Sequence, residues 1–250
     1  MINTRLLLLA AIAPALALSA CKKSGDGTVA GNTAAPAASG PIAAAPSGGW
    51  TETVALTPDN GFRMGNPQAP VKLVEYGSLT CPHCADFSAE AMPTLRKWID
   101  GGKLSYEYRN FVRDPYDITA ALLARCGGAG PFFKLTDQLY ASQKDWIGKI
   151  EALTEADRKR IQALPTAQQF GALAAAAGLD TFVGQRGIPA AKAQQCLTDE
   201  AQQKVLIDIR QAGVTKYTIE GTPTFILNGE TIGSADWAGL QPKLTAAIGG

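Results

Sequence analysis

The sequence predicts an α/β fold whose core is interrupted by a helical segment, and three features of the pattern support this fold class. A strand-helix-strand unit occupies residues 69–110, and a hairpin followed by a helix occupies residues 221–248. Between them lie about a hundred residues whose apolar positions recur at helical spacing. Because strands and helices pack in layers around one sheet, we expect the two outer units to form a single core.

The first unit begins with the strand APVKLVEYGS, residues 69–78, whose short apolar run ends at Gly77 and Ser78. A helix follows, because apolar residues recur at spacings of three and four, namely Cys84, Phe87, Ala91, Leu95 and Trp98. Gly101 and Gly102 end this helix. The next segment, LSYEYRN at 104–110, alternates apolar and polar residues and predicts a second strand.

The second unit is GTPTFILNGETIG, residues 221–233, and it reads as a β-hairpin. An apolar run is followed by Asn228-Gly229, a dipeptide typical of two-residue hairpin turns. A last helix is predicted from about Asp236 to Ile248. Its apolar positions are Trp237, Leu240, Leu244 and Ile248.

The intervening segment, residues 113–212, predicts a helical insertion. One apolar stripe contains Ile118, Leu122 and Cys126, and another contains Leu197, Ala201, Val205 and Ile209. The core domain would then consist of residues 50–112 and 213–250. About 200 residues from Trp50 onward suffice for one good-sized hydrophobic core.

The N-terminal residues 1–20 are typical of a secretion signal. Arg5 precedes an apolar run at 6–18 that is too short for a comfortable membrane span. The signal ends in LSAC, residues 18–21, which resembles the bacterial lipoprotein box and makes Cys21 the predicted lipidated residue. The alternative is a soluble secreted protein cut near Ala20.

Residues 21–49 would form the tether of such a lipoprotein. From Lys22 to Gly49 the chain contains mostly Ala, Gly, Ser, Pro and Thr, so it cannot bury enough apolar surface to order itself. Without Arg5 the remaining chain has 22 basic and 22 acidic side chains, because the whole sequence has 23 and 22. The sequence contains no stripe of basic residues that would indicate a nucleic-acid partner.

The Cys81-Pro82-His83-Cys84 motif admits three interpretations: a metal clip, a structural bridge or a redox pair. Structural zinc needs four ligands, and the other cysteines stand alone while His83 is the only histidine. A bridge across two residues constrains the unfolded chain little. A redox pair is therefore favoured, and no metal or other cofactor is predicted.

The position of the motif supports the redox interpretation. Cys81 would lie at the N-terminus of the predicted helix, where unpaired N–H groups and the helix dipole favour an anion. Cys84, one turn later, begins the buried stripe. We therefore expect an exposed, easily ionised sulfur at Cys81, a shielded sulfur at Cys84, and an electrostatic contribution from His83.

Cys-Pro-His-Cys at a strand-to-helix junction, with Thr222-Pro223 before a late strand, resembles the DsbA-like thiol-disulfide oxidoreductases. The resemblance covers nearly all of residues 62–248 and implies a thioredoxin fold interrupted by a helical insertion domain. It implies that Cys81 and Cys84 form the redox disulfide, with Cys81 the attacking and attacked sulfur and Cys84 the resolving one. It also implies that His83 tunes Cys81.

Two further roles come from the same resemblance. Pro223 matches the cis-proline of the family, so Thr222 and Pro223 would border the substrate groove. Glu75 matches an acidic residue beneath the active site, and it shares a strand face with Val71 and Leu73. A buried Glu75 could relay a proton to Cys84. The alternative is an exposed carboxylate at a sheet edge.

Cys126 and Cys196 are the two remaining cysteines. Both flank apolar stripes, and an exported chain lies in a compartment where disulfides persist. We therefore predict a structural disulfide between them that fixes the helical insertion, with two buried free thiols as the alternative. Some branches of the family carry an extra bridge in this segment.

The function that the resemblance implies is a dithiol oxidase that introduces disulfides into exported polypeptides carrying cysteines. It would act as a monomer, anchored by lipid on the periplasmic face of the bacterial cell envelope, and a DsbB-like membrane protein would reoxidise it. Thr222 before the cis-proline also occurs in isomerases and reductases of this fold, for which a DsbD-like partner would supply electrons. A third alternative is a lipoprotein that binds peptides.

Overall fold

The computed structural model describes residues 44–249 and contains a six-stranded mixed sheet. The strand order is β1-β2-β4-β3-β5-β6. The strands are β1 (Val54–Leu56), β2 (Phe62–Gly65), β3 (Val71–Gly77), β4 (Leu104–Asn110), β5 (Thr224–Leu227) and β6 (Glu230–Ser234). The predicted signal at 1–20, the box at 18–21 with Cys21, and most of the predicted tether lie outside the described residues.

Ten helices occur among the described residues. They are α1 (Pro82–Asp100), α2 (Pro115–Arg125), α3 (Ala129–Ala141), α4 (Gln143–Glu151), α5 (Glu155–Gln162), α6 (Thr166–Ala177), α7 (Leu179–Gly184), α8 (Ala190–Leu197), α9 (Glu200–Tyr217) and α10 (Trp237–Gly249). None of these helices combines the length and the apolar composition that crossing a membrane requires. The α/β fold class predicted from the sequence is confirmed.

Strand β3 lies inside the sheet and leads directly to the CPHC motif. It pairs in parallel with β4 and antiparallel with β5. A strand with partners on both sides and helices on both faces is buried, so both faces carry apolar residues. This central position explains why the chain leaving β3 at Gly77 enters the interior of the protein.

Helix α1 buries four of the five apolar positions that the sequence predicts, and the fifth, Trp98, is half-buried. The buried residues of the helix are Cys84, Phe87, Ala91, Met92, Leu95 and Ile99. Phe87 packs against Phe225 of β5, with ring centroids 4.6 Å apart. Through this contact the start of α1 is fixed against the late hairpin, although the two segments are far apart in the sequence.

The hairpin of β5 and β6 forms at the predicted turn. Asn228 and Gly229 both have positive φ, at 51° and 91°, which a two-residue type I′ turn requires. Helix α10 follows at Trp237, one residue after the predicted start. It buries Leu240 and Leu244, two of the four predicted apolar positions.

Eight helices, α2 to α9, lie between β4 and β5, where the sequence predicts an insertion. The last of these helices continues to Tyr217, five residues beyond the predicted boundary at 212.

At the N-terminal end of the described chain, residues 44–48 are exposed and Trp50 is 7% exposed. The division into domains stays a prediction.

Candidate active site

The CPHC motif lies where β3 turns into α1, and its residues begin the helix. Cys81 is the N-cap residue, with extended backbone angles of −86° and 120°. Pro82 takes the first helical position, where its missing N–H costs no hydrogen bond. The amides of His83 and Cys84 are therefore unpaired within the helix and lie close to the Cys81 sulfur.

The two sulfurs differ less in exposure than the sequence predicts. Cys81 is 3% exposed and Cys84 is fully buried. The expectation of an exposed Cys81 is wrong because segments distant in sequence contact it. The Cys81 sulfur lies 3.2 Å from the Thr222 carbonyl oxygen, to which it donates a hydrogen bond when it is protonated.

The two sulfurs differ instead in their pKa values, which shift in opposite directions. The pKa of Cys81 falls from 9.0 to about 5, because the hydrogen bond from the Cys84 thiol, together with the Thr222 side chain and the amides of Cys84 and His83, outweighs burial, which acts in the opposite direction. Burial, together with the same thiol-thiol bond, raises the pKa of Cys84 well above its usual value. At neutral pH Cys81 is a thiolate and Cys84 a thiol.

Glu75 lies on β3 beneath the cysteines and is 1% exposed. The alternative of an exposed carboxylate is therefore wrong. Its pKa is raised to about 8, chiefly by burial and also by the negative charge of Cys81, although the Tyr106 hydroxyl donates a hydrogen bond to the carboxylate and acts against the rise. A charged Glu75 would in turn raise the pKa of Cys84. Glu75 is therefore mostly protonated at neutral pH.

The Thr222-Pro223 peptide bond is cis, as the resemblance to the DsbA-like proteins implies. The two residues border a groove of about 460 Å³ that runs past the start of α1. Its lining residues are His83, Asp86, Phe87, Glu90, Thr222, Pro223, Ser234, Ala235, Asp236 and Trp237. The groove therefore places peptide backbone, an aromatic ring and carboxylates beside Cys81.

His83 is exposed and lines this groove. Its backbone amide helps to lower the pKa of Cys81. Among the described contacts, its imidazole makes no hydrogen bond to Cys81. The predicted tuning by the His83 side chain stays a prediction.

Three residues of the insertion contact the loop at residues 78–81, between β3 and α1, and the sequence did not indicate these contacts. Asp117 accepts hydrogen bonds from the Ser78 hydroxyl at 2.6 Å and the Leu79 amide at 2.9 Å. Tyr140 donates to the Ser78 carbonyl oxygen, and Gln143 donates to two carbonyl oxygens of the same loop. Burial raises the pKa of Asp117 to about 7. Asp114-Pro115 before Asp117 signalled only a helix start.

The predicted disulfide between Cys126 and Cys196 is present. It joins the end of α2 to α8 with a Cα–Cα distance of 5.6 Å and a sequence separation of 70 residues. By contrast, Cys81 and Cys84 are free thiols in the structure. Within residues 44–249, no three His, Cys, Asp or Glu side chains are grouped as a metal site would require.

Together, the mixed sheet and the dithiol at a helix start beside a cis-proline define a protein of the thioredoxin type. The family model described as thioredoxin matches residues 57–246. The chain therefore belongs to the thioredoxin family.

Known proteins with related sequences carry names that refer to disulfides. A protein of Rickettsia felis, named "Putative protein-disulfide oxidoreductase", is 30% identical over 76% of this chain and 61% of its own length. A relative of the same type from Rickettsia prowazekii is 31% identical over 68% of this chain. This chain spans only 55% of that relative's length.

Two solved structures resemble the fold. The protein-disulfide isomerase of Novosphingobium aromaticivorans is 36% identical, with a TM-score of 0.72 over 75% of this chain and 97% of that one. The α-DsbA1 of Wolbachia pipientis has a TM-score of 0.61 over 78% of this chain and 94% of that one. At 21% identity the second likeness supports the fold alone.

Proposed function

We propose that this protein is a thiol-disulfide oxidoreductase and that it works mainly as a dithiol oxidase. The observation that carries the proposal is the dithiol at the start of α1, where hydrogen bonds lower the pKa of Cys81 and burial raises that of Cys84. A thiolate at Cys81 stabilises the reduced protein, and a disulfide whose reduced form is stable is a strong oxidant. The low pKa also makes Cys81 a good leaving group when a substrate thiolate attacks the mixed disulfide.

The reaction begins with the Cys81–Cys84 disulfide. A substrate thiolate attacks the Cys81 sulfur, forms a mixed disulfide and releases the Cys84 thiolate. A second substrate thiolate then attacks the substrate sulfur of the mixed disulfide and releases the Cys81 thiolate. The substrate loses two electrons and two protons as its disulfide forms, and the two electrons reduce the protein's own disulfide.

Glu75 would supply the proton that the released Cys84 thiolate requires. Cys84 has a raised pKa and cannot remain charged in its buried position. Glu75 holds a proton at neutral pH because its pKa is about 8, and its charge acts on Cys84. Transfer of this proton leaves a carboxylate that keeps the Tyr106 hydrogen bond.

The groove beside Thr222 and Pro223 is the proposed binding site for the substrate chain. Its lining combines the Trp237 ring with residues at the end of β6 and with Thr222, whose carbonyl oxygen lies 3.2 Å from the Cys81 sulfur. An extended segment of an unfolded polypeptide suits such a groove, since backbone contacts do not depend on sequence. His83, at the groove surface, would then meet the substrate directly.

An isomerase or reductase is the second candidate, and two observations favour it. Thr222 precedes the cis-proline, and the relative from Novosphingobium carries the name protein-disulfide isomerase. The equilibrium constant with glutathione separates the candidates. A potential near that of thioredoxin, roughly −270 mV, would support a reductase and contradict the oxidase.

We also propose that the protein is attached to a bacterial membrane. Lipidation at Cys21 would anchor the protein on the periplasmic face of a bacterial membrane, where exported polypeptides carrying cysteines are the substrates. A DsbB-like membrane protein would reoxidise the Cys81–Cys84 pair, and a DsbD-like protein would reduce it in a reductase. Mass spectrometry of Cys21 after expression in bacteria tests the anchor.

Trapping of a mixed disulfide tests the proposed function. Cys84→Ser removes the resolving thiol, so Cys81 should form a stable adduct with a disulfide-bearing peptide. Wild-type protein should give only transient adducts, and Cys81→Ser should give none. An adduct of equal yield in Cys81→Ser, or none in Cys84→Ser, would contradict the proposed function.

A further inference from the structure

The loop that carries Cys81 belongs to the core, yet its polar backbone atoms bind side chains of the helical insertion. This loop, residues 78–81, connects β3 to α1. Asp117 of α2 accepts from the Leu79 amide, and Tyr140 of α3 donates to the Ser78 carbonyl oxygen at 3.2 Å. A third helix of the insertion, α4, contacts the same short loop through Gln143.

Gln143, at the start of α4, makes the contact nearest to the nucleophile. Its side-chain nitrogen donates to the Leu79 carbonyl oxygen at 2.8 Å and to the Cys81 carbonyl oxygen at 2.9 Å. An amide NH₂ group has two protons, so both bonds form at once. The side chain is buried, with Gln143 only 6% exposed, and water cannot easily replace it.

These bonds fix Cys81 on both sides of its Cα atom. The Cys81 amide donates to the Ser78 carbonyl oxygen at 3.1 Å, and the Cys81 carbonyl oxygen also accepts from Ala85 of α1 at 3.3 Å. The direction of the Cys81 side chain follows from these backbone positions. Stabilisation of a thiolate by amides depends on such fixed geometry, because preorganised donors need not reorient when charge develops.

We propose that Gln143 is a positioning residue, through which the helical insertion holds the Cys81 sulfur against the amides at the start of α1. Its importance for exchange rests on the proposed function, whereas its effect on the thiolate does not. Without the Gln143 amide, two buried carbonyl oxygens lose a donor and the loop shifts or admits water. The sulfur then lies less well against the amides of His83 and Cys84.

The test replaces Gln143 with methionine, which has a similar length and no hydrogen-bond donor. The Cys81 pKa is measured by the ultraviolet absorbance of the thiolate during a pH titration. We expect it to rise by about one unit, which is the scale of one buried hydrogen bond. At a pH near the wild-type pKa, the thiolate fraction should fall several-fold.

Gln169 provides a matched control. Its side-chain nitrogen also bridges two backbone carbonyl oxygens, those of Gln162 at 3.2 Å and Leu164 at 2.9 Å, but it lies in α6. Gln169→Met should therefore leave the Cys81 pKa unchanged. An equal rise in both variants, or no rise in a folded Gln143→Met protein, would overturn the proposal.

Gln143→Asn is the second variant and covers the case in which the methionine variant does not fold. It keeps an uncharged amide, but the side chain is one methylene shorter and cannot reach both carbonyl oxygens. We expect a smaller rise of the Cys81 pKa than with methionine, and an unchanged pKa would again overturn the proposal. Peptide exchange is measured separately on the wild type, so its absence would refute the proposed function without affecting the pKa result.

Discussion

The two cysteine pairs of the described chain have the same atoms and contrasting environments. Cys81 and Cys84 lie three positions apart at the start of one helix, whereas Cys126 and Cys196 join two helices across 70 residues. Helix amides donate hydrogen bonds to the first pair, the buried Glu75 carboxyl group acts on it electrostatically, and the neighbouring Thr222 lines a groove. The sulfurs of the second pair lie near the backbone carbonyl oxygens of Lys192 and Cys126, and a carbonyl oxygen does not stabilise a thiolate.

The contrast shows how the environment of a cysteine pair sets its chemistry. A disulfide that closes a long loop restricts the unfolded chain strongly, while one that closes a two-residue loop hardly does so. The short-range pair therefore contributes little to stability through loop closure. Its environment instead favours the reduced state, because Cys81 is stabilised as an anion.

The largest effect that we expect is on the free energy of unfolding, whose dependence on pH should differ between the reduced and the oxidised protein. In the folded reduced protein the pKa of Cys81 is about 5, and its ordinary value is 9.0. The thiolate thus stabilises the folded reduced protein fully above pH 9, and this contribution is lost as the pH falls toward 5. The oxidised protein has no thiol at this position. The unfolding free energy of the reduced form should gain about 5 kcal/mol over the oxidised form between these pH values.

Guanidinium unfolding of both forms at several pH values measures this difference. Above pH 9 the raised pKa of Cys84 favours the unfolded chain, so the pH range of the expected gain ends there. Reduced Cys81→Ser protein is the control and should show no such gain. A difference that stays constant from pH 5 to 9 would refute a stabilised thiolate.

Removal of the long-range disulfide should affect stability and leave the redox pair unchanged. We expect Cys126→Ala/Cys196→Ala to lower the unfolding free energy by about 2–4 kcal/mol, because the bond closes a 70-residue loop. Chemical unfolding of the oxidised proteins provides the measurement. The Cys81 pKa should stay the same, and a shift would show that the bridge also positions the active site.

The smallest effect should follow from Thr222→Val. The Thr222 hydroxyl is buried without a conventional partner among the described groups, and the side chain lowers the Cys81 pKa. Loss of the hydroxyl should raise that pKa by about 0.7 unit, since the stabilisation of a thiolate by a nearby hydroxyl is on the scale of one hydrogen bond, about 1 kcal/mol. Thiolate titration measures the change.

Thr136→Val is the matched control for this substitution. Thr136 in α3 also has a buried hydroxyl without a partner, but it does not act on Cys81. The control should leave the Cys81 pKa unchanged. If both valine variants shift the pKa equally, the hydroxyl of Thr222 has no specific part in stabilising the thiolate.

Local patterns predicted the elements that surround the site. The strand before the motif, helix α1 with its buried stripe, β4, and the hairpin at Asn228-Gly229 all lie where the sequence indicated. Strands β1 and β2 were not predicted. They are only three and four residues long, and β2 is stabilised by pairing with β4, about forty residues later.

The sequence by itself determined that Cys81 begins a helix, because strand, turn and helix signals act over a few residues. The burial of Cys81 and the contacts of Asp117, Tyr140 and Gln143 with its loop were decided only by the tertiary structure. Those contacts join residues about 40 to 60 positions apart, and such pairings depend on how the insertion packs. No local periodicity records that packing, and for this reason the environment of the sulfur became visible only in the folded chain.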